Sequence, residues 1–232
     1  MTIQAVFFDA AGTLFKPVRR VGESYAIFAA RHGVEVSPAD LSERFRVCFA
    51  DAPRLAFPGA ADDAIGALER DWWRTVVARV FEPCGRFKKF DEFFDELFAY
   101  YAAPGAWSLY PEALDTLAAL RRRGLQLSVI SNFDSRLTSI LHGLGAGPFF
   151  HYIFVSSRVG YAKPDPKIFH IALEHHRLRP EEGLHVGDSE INDRRGARDA
   201  GLRAVLVDRR APADANDSDR VASLQALLDL IG

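Results

Sequence analysis

The pattern of apolar and polar residues divides the chain into a helical stretch and a flanking part in which strands and helices alternate. Gln4–Phe8 is a short apolar run of strand length, which is typical of a parallel strand covered on both faces. For about ninety residues after Phe15, apolar residues recur at helical spacing, as at Phe90, Phe94 and Leu97. No strand pattern interrupts this stretch, so we predict an all-helical insertion with a small core of its own.

From Pro111 onward, strand patterns and helix patterns alternate. The predicted strands are Leu127–Ile130, Tyr152–Val155, Leu184–Val186 and Arg203–Val207. The predicted helices are Glu112–Arg123, a helix after Asp134, Pro166–His176, Asp193–Ala200 and, after a polar loop at Asp208–Asp219, a final helix that ends near Leu230. Such alternation requires right-handed crossovers between parallel strands.

The predicted fold class is therefore α/β. Residues 1–15 and 108–232 would form a Rossmann-like parallel sheet core with helices on both faces. Residues 16–107 would form an inserted all-helical cap domain. In sheets of this kind, ligands bind beyond the carboxyl ends of the strands, so those ends are where chemistry is expected.

The composition adds limits on partners and compartment. The chain has 232 residues, of which 48% are hydrophobic and 26% charged, which suits one large domain with an insertion. A formal net charge of −2 gives no reason to expect nucleic acid or an anionic membrane as a partner. Cys48 and Cys84 show neither metal-type spacing nor a disulfide framework. Because no secretory leader pattern precedes the first strand and no apolar run could span a membrane, we expect a cytoplasmic protein.

Each of the first four predicted core strands is followed by residues that can carry chemistry. In chain order these are Asp9, Ser131 with Asn132, Lys163 in the loop GYAKPDP, and Asp188 in the segment HVGDSEIND. An unpaired charge at the end of a buried strand is costly, so Asp9 needs a cation, hydrogen-bond donors or a role as nucleophile. Two carboxylates, a hydroxyl, an amide and an ammonium at one sheet edge suit phosphoryl transfer with a hard cation.

These segments, in this order, carry a resemblance to a known family. Together with VFFDAAGTLF at residues 6–15 and a helical insertion between the first and second motifs, the chain resembles the haloacid dehalogenase-like hydrolase superfamily over essentially its whole length. Its organisation is similar to the phosphoglycolate phosphatase and haloacid dehalogenase branch. In that branch a small helical cap closes over the site.

The resemblance implies a role for each matched residue in the reaction. Asp9 would be the nucleophile and would form an aspartyl-phosphate. Ser131, with the amide of Asn132, would hold the transferring phosphoryl group, and Lys163 would neutralise charge on both the phosphate and the nucleophile. Read without the family, Ser131 could also cap the helix that follows it.

The resemblance also implies a Mg²⁺ site. The carboxylates of Asp9 and Asp188 and the backbone oxygen of Ala11 would bind the ion, which would keep several waters. Asp193 would lie in the second shell and orient Lys163 or a metal-bound water. Asn192 and Asp193 could equally be helix caps, and the sequence leaves that alternative open.

Ala11 departs from the family pattern. Phosphatases of this superfamily usually have a second Asp two residues after the nucleophile, which protonates the leaving group and then activates water. The metal ligand survives the change to Ala11 because only the backbone oxygen is used there, but the proton shuttle is lost. Positioned acid–base groups typically contribute about 10²–10⁴ in rate.

Two other hydrolases of the superfamily tolerate a different residue at this position. Phosphonoacetaldehyde hydrolases carry Ala here in a similar motif, but they need a cap lysine for a Schiff base. Lys16, Lys88 and Lys89 precede the second motif, and none of them matches the expected early-cap position. Haloacid dehalogenases usually place an aromatic residue where Ala11 stands and need no metal, whereas this sequence keeps the metal-type Asp188.

The favoured interpretation is a Mg²⁺-dependent hydrolase of a small phosphorylated metabolite. A different class of function, a phosphate- or metabolite-binding protein that has lost turnover, is disfavoured because it would have no need of Asp9, Lys163 and Asp188 together. The sequence identifies neither the substrate nor the oligomeric state. Candidates for contact with an anionic substrate, each also consistent with a solvated surface position, are Arg19, Arg20 and Arg54.

Overall fold

A computed structural model describes residues 2–85, 87–210 and 217–231 of the chain. Within these residues the strands are β1 (Ala5–Phe8), β2 (Phe15–Pro17), β3 (Trp107–Leu109), β4 (Gln126–Ser131), β5 (Tyr152–Val155), β6 (Gly183–Gly187), β7 (Arg203–Val207) and β8 (Arg220–Val221). The α-helices are α1 (Val21–Arg31), α2 (Pro38–Ala50), α3 (Ile65–Phe81), α4 (Phe90–Ala102), α5 (Ala113–Arg122), α6 (Arg136–Gly143), α7 (Ser156–Val159), α8 (Pro166–His176), α9 (Gly196–Asp199) and α10 (Leu227–Leu230). Among the described residues, no helix combines the length and apolar character needed to cross a membrane.

Six strands form one parallel sheet in the order β5–β4–β1–β6–β7–β8. β1 lies in the middle, with Val6 opposite Leu127 of β4 and Leu184 of β6. Because side chains alternate along a strand, Val6 and Phe8 pack towards α5, α6 and α10 on one face, while Ala5 and Phe7 pack towards α8 and α9 on the other. The predicted α/β fold with helices on both faces is thus confirmed.

The elements in the last part of the chain differ from the sequence prediction in three main respects. β8 has only two residues, too few for any periodicity to show, and it was not predicted. The helix predicted at Asp193–Ala200 starts earlier, as a π-helix at Glu190–Arg195 that continues into α9. The final helix α10 has only four residues. The predicted polar loop at Asp208–Asp219 lies partly outside the described residues, because 211–216 are not described.

The segment between β2 and β3 contains helices α1 to α4 and has its own apolar cluster. Buried members of this cluster are Tyr25, Ala29, Leu41, Val77, Val80, Phe81, Phe93, Phe94 and Leu97. The rings of Phe81 and Phe93 meet edge to face, with centroids 4.9 Å apart. At Gly22 of α1, a Cβ would lie 2.1 Å from the carbonyl oxygen of Pro38, so only glycine permits this approach to α2. Helices α1 to α4 thus lie where the helical insertion was predicted and share an apolar cluster, while the cap domain at residues 16–107 and its boundaries stay a prediction.

The chain enters and leaves the helical insertion through a two-stranded ribbon. β2 and β3 pair antiparallel, with Phe15 opposite Leu109 and Pro17 opposite Trp107. The ring of Trp107 packs edge to face on Phe15 at a centroid distance of 5.2 Å. The sequence pattern did not indicate this ribbon because three-residue strands are too short to display alternation. The ribbon places the root of the insertion directly after the turn that follows β1.

Candidate active site

Asp9 stands at the carboxyl end of the central strand. The strand ladder holds its backbone, since the N–H of Asp9 donates to the carbonyl of Val186 at 2.8 Å. Its side chain lies in the crevice at the sheet edge, and the residue is 8% exposed. Burial raises the pKa of this carboxyl above its ordinary value, and the ammonium of Lys163 only partly offsets that effect.

The turn after Asp9 is built around the carbonyl of Ala10, which accepts the N–H groups of residues 13–15 at 2.8 to 3.3 Å. No N–H among the described residues donates to the carbonyl of Ala11, which is left available as a ligand. Gly12 has φ +99°, and a Cβ there would lie 2.4 Å from Oδ2 of Asp188. The turn therefore needs glycine both for its backbone and for the carboxylate that lies against it.

Lys163 and Ser131 share one oxygen of Asp9. Nζ of Lys163 donates to Oδ1 of Asp9 at 2.8 Å, and the hydroxyl of Ser131 donates to the same oxygen at 3.2 Å. Oδ2 of Asp9 has no protein donor among the described residues. Lys163 is 1% exposed, and although burial opposes its charge, attraction to Asp193 and Asp9 keeps its pKa above the ordinary value. One oxygen of a fixed carboxylate is thus left for attack or for a cation.

Asp193 lies on the other side of Lys163, whose Nζ is 2.5 Å from its Oδ1. Oδ2 accepts the N–H of Ser189 at 2.9 Å. Burial alone would raise the pKa of Asp193, but Lys163 and a hydrogen bond from His185 hold it well below its usual range. Ser189 is the N-cap residue of this helix, since its hydroxyl accepts the N–H of Asn192, and Asp193 accepts the N–H of Ser189 in return. Asp193 therefore both takes part in the helix cap and binds Lys163.

His185 is a site residue that the sequence analysis missed. It is fully buried in β6, and its Nε2 lies 2.9 Å from Oδ1 of Asp193. Burial lowers its pKa, so the ring is neutral and the bond to Asp193 requires hydrogen on Nε2. Its Nδ1 is buried without a partner among the described residues. The available signal was a single polar residue within an otherwise apolar strand pattern at Leu184–Val186.

Asn132 holds the backbone of Lys163. Its Oδ1 accepts the N–H of Lys163 at 2.7 Å, and its Nδ2 donates to the carbonyl of Lys163 at 2.9 Å. Nη1 of Arg54, in the loop between α2 and α3, donates to the same carbonyl at 2.6 Å. With the side-chain amide of Asn132 occupied in this way, the main-chain N–H of Asn132 is the group left for the predicted phosphate contact.

The carboxylates at this edge form a group with too much negative charge. One oxygen from each of Asp9, Asp188 and Asp193 lies within 4.8 Å of the others, and Lys163 is the ammonium that binds two of them. Burial and the charge of Asp9 raise the pKa of Asp188 to about 6. When all three carboxyls are ionised, two negative charges remain uncompensated. An oxygen-only donor set with that excess matches the preference of Mg²⁺ or Ca²⁺.

Among the insertion residues weighed in the sequence analysis, Lys16, Lys89 and Arg20 have contacts away from Asp9. Nζ of Lys16 lies over the ring of Tyr110, 5.6 Å from its centroid, and Lys89 pairs with Glu92. Arg20 precedes α1, where its N–H is capped by a glutamate three residues later. Of the three candidate arginines, Arg54 is the one that reaches the site, and it does so through the carbonyl of Lys163.

The chain is similar to known hydrolases over most of its length. A family model described as haloacid dehalogenase-like hydrolase matches residues 3–201. The Haloacid dehalogenase-like hydrolase domain-containing protein 3 of Mus musculus is 35% identical over 223 residues, which cover 95% of this chain and 88% of that protein. The phosphoserine phosphatase of Thermus thermophilus is 44% identical over 112 residues, 48% of this chain and 45% of that protein.

A solved structure shows the same fold. The 2-haloacid dehalogenase from Pseudomonas syringae has a TM-score of 0.68 and 25% identity, and the match covers 99% of this chain and 98% of that one. Relatives named as a phosphatase and as a dehalogenase thus both resemble this chain. Because one fold carries both chemistries, the reaction has to be argued from the residues of the site.

Proposed function

The chain belongs to the haloacid dehalogenase-like hydrolase family, and from that premise we propose that it is a Mg²⁺-dependent phosphatase of small phosphorylated metabolites. The observation that carries the proposal is the state of Asp9. Ser131 and Lys163 fix one oxygen of its carboxylate, and the other oxygen faces no protein donor among the described residues. A buried carboxylate held in this way is prepared to act as a nucleophile.

In the proposed reaction, Oδ2 of Asp9 attacks phosphorus and the bond from phosphorus to the ester oxygen breaks. The hydroxyl of Ser131, the ammonium of Lys163 and the main-chain N–H of Asn132 hold the phosphoryl oxygens as charge moves onto the leaving group. Water then attacks the phosphorus of the aspartyl-phosphate, releases inorganic phosphate and restores Asp9. The departing alkoxide takes its proton from water, because Ala11 offers none.

The carboxylates of Asp9 and Asp188 and the carbonyl of Ala11 would hold Mg²⁺. The fit rests on three observations: the donors are all oxygens, the carbonyl of Ala11 accepts no N–H from the described part of the chain, and the carboxylate group carries excess negative charge. When bound, the ion would neutralise that charge and let a phosphate dianion approach Asp9.

Asp193 and His185 act on the reaction through Lys163. Asp193 holds Nζ of Lys163 from the side opposite Asp9, and His185 in turn fixes Oδ1 of Asp193. This chain of bonds holds the ammonium beside Oδ1 of the nucleophile. We further propose that residues 16–107 act as a cap over the site and residues 1–15 and 108–232 as the catalytic core. The contact of Arg54 with the carbonyl of Lys163 supports that division.

The test is release of inorganic phosphate from a panel of aryl and alkyl phosphates, with and without Mg²⁺. Release that requires Mg²⁺, together with a hydroxylamine-sensitive phosphoryl adduct on Asp9, is the expected result. A 2-haloacid and phosphonoacetaldehyde are assayed in parallel. Halide release or carbon–phosphorus cleavage without phosphomonoester hydrolysis would replace the proposal with one of the other hydrolases, and no turnover at all would favour a binding protein.

A further inference from the structure

An apolar cavity of about 80 Å³ lies where the helical insertion meets the core. Helices α1 to α4 form its wall on the insertion side, and β3, the loop after β4 and the start of α6 line it on the core side. Prominent among the twelve lining residues are Tyr25, Trp73, Phe98, Trp107 and Phe133. A buried water needs about 10–15 Å³ on a comparable scale, so the cavity has room for several non-hydrogen atoms.

The cavity lies close to Asp9. Phe133, which lines it, is two residues from Ser131, whose hydroxyl is 3.2 Å from Oδ1 of Asp9. Two trans peptide units span at most about 7.6 Å between Cα atoms. From the other side, Trp107 lines the cavity and packs on Phe15, the last residue of the turn after Asp9. Phe133 and Trp107 place one end of the cavity beside the Asp9 site.

The cavity is electrically neutral. Arg136 is the charged residue among its lining, and its Nε and Nη2 both bind the carboxylate of Asp134. Its Nη1 donates to the carbonyl of Phe98, and the guanidinium lies 3.9 Å from the centre of the Phe98 ring. Burial raises the pKa of Tyr101 to about 12, so that phenol is uncharged as well. No unpaired charge is offered to a ligand by the lining residues.

We propose that this cavity receives the uncharged, apolar part of the substrate, so that the preferred substrates are phosphomonoesters of aromatic or branched aliphatic alcohols. The inference rests on the proposed phosphatase function. An aromatic or branched group would fill the cavity and make van der Waals contacts with the side chains that line it. A leaving group with a carboxylate or a second phosphate would have to bury a charge without a partner, which is costly.

The experiment compares benzyl phosphate with ethyl phosphate. Both have alkoxide leaving groups, so the lack of an acid at Ala11 slows the hydrolysis of both. A difference between their rates therefore reports the contribution of the aromatic ring. We expect kcat/KM to be at least about tenfold higher for benzyl phosphate, mostly through a lower KM, as one or more apolar groups in a fitted pocket allow. Equal values for the two esters, with phosphate released from both, would overturn the inference and leave the phosphatase function standing.

Two variants change the cavity in opposite directions. Val77→Phe fills it from α3 and should lower the benzyl-to-ethyl ratio about tenfold, while Phe45→Ala enlarges it and should favour naphthylmethyl phosphate over benzyl phosphate. Val47→Phe, the same change as at Val77 but on the exposed face of α2, is the matched control and should leave the ratio unaltered. Because Phe45→Ala adds no volume, it decides the matter if Val77→Phe does not fold. If neither variant alters its ratio of kcat/KM values, the proposal is contradicted.

Binding is measured separately from turnover. Trp73 and Trp107 line the cavity, so benzylphosphonate, which cannot be hydrolysed, should change the indole fluorescence, and ethylphosphonate should do so only at much higher concentration. If no phosphomonoester is hydrolysed, the phosphatase proposal fails, and this titration still decides the cavity. A response to benzylphosphonate that Val77→Phe weakens supports the apolar site, whereas no response overturns it.

Discussion

Asp9 and Asp134 are both buried aspartates just beyond neighbouring strands of the sheet, yet their surroundings are opposite. Asp134 is fully buried, and both of its oxygens are bonded: Oδ1 to the backbone and side chain of Arg136, and Oδ2 to the same side chain and to the indole N–H of Trp73 at 2.6 Å. One carboxylate meets one guanidinium, so its charge is balanced. Asp9 shares one ammonium with Asp193, and an oxygen of Asp188 lies within 4.8 Å of both carboxylates.

The contrast shows how to separate a structural carboxylate from a functional one. Burial does not distinguish them, because any buried carboxylate is costly unless its charge is compensated, whether its role is structural or functional. The difference lies in how completely the oxygens of each carboxylate are hydrogen-bonded. Asp134 has every lone pair occupied and joins the insertion, through Trp73 of α3, to the core. Asp9 has an oxygen that accepts no bond from the residues the structure describes, and excess negative charge lies nearby, so its bonding would be completed by a cation and a phosphate.

Replacement of Asp9 should have the largest effect on activity. Asp9→Asn removes the nucleophile and should lower kcat by about 10⁴ or more, as loss of a catalytic nucleophile does elsewhere. The amide is nearly the same size, and the variant relieves repulsion with Asp188, so we expect the fold to persist. Steady-state release of phosphate from an aryl ester measures the loss, and circular dichroism checks the fold. Activity equal to that of the parent would mean that Asp9 is not the nucleophile.

The same change at Asp134 should act on stability instead. Asp134→Asn leaves the guanidinium of Arg136 buried without its counter-charge, so we expect the free energy of unfolding to fall by about 3 kcal/mol. Urea denaturation measures it. Asp115→Asn, on the exposed side of α5, is the matched control and should change stability by less than about 0.5 kcal/mol. If Asp134→Asn unfolds at the same urea concentration as the parent, the contacts of Asp134 with Arg136 and Trp73 do not stabilise the junction between the insertion and the core.

The sequence predicted the fold because the sheet is specified by features of each strand. Buried parallel strands are continuous apolar runs, and their carboxyl ends meet at one edge. That is why Asp9, Ser131, Lys163 and Asp188 could be expected together before any coordinates, and the structure brings them to one edge. The role in the reaction of each of these residues stays a prediction.

What the sequence could not predict depends on contacts between distant residues. The amide of Asn132 binds the backbone of Lys163, 31 positions away, and no local pattern reports a bond of that kind. The link of His185 to Asp193 combines a strand with the π-helix after it, and the helix register decides whether the two side chains meet. The apolar cavity has the same origin, since elements of both the insertion and the core must pack together before its walls exist.

A carboxylate restored at position 11 would give the Asp9 site the acid and base that it lacks. Breaking an aspartyl-phosphate needs a base for water whatever the substrate was, while forming it needs an acid only when the leaving group is poor. Ala11→Asp should therefore raise turnover by up to about 10²-fold, with a larger gain for alkyl than for aryl phosphates. Ala11→Asn has the same size without the proton and should give no such gain. If the parent already hydrolyses alkyl phosphates fast and Ala11→Asp does not help, another group supplies the proton.

The smallest expected effect concerns the excess charge itself. Without metal, the pKa of Asp188 is about 6 in the folded protein against an ordinary 3.8, because of burial and the nearby charge of Asp9. The folded state thus binds this proton more tightly than the unfolded state, so the contribution of Asp188 to stability is complete below pH 3.8 and is lost as the pH rises through about 6.

Mg²⁺ should reverse that loss, because it binds the ionised carboxylates and competes with the proton. At a Mg²⁺ concentration about ten times its Kd, the gain in unfolding free energy should be about 1.4 kcal/mol near pH 7.5 and much smaller near pH 5, as thermal or urea unfolding with and without the ion will show. Asp188→Asn should be more stable than the parent in metal-free buffer near pH 7.5 and should gain little from Mg²⁺. An equal gain at both pH values, or an equal gain in Asp188→Asn, would place the cation elsewhere and remove the charge imbalance as the feature that distinguishes Asp9 from Asp134.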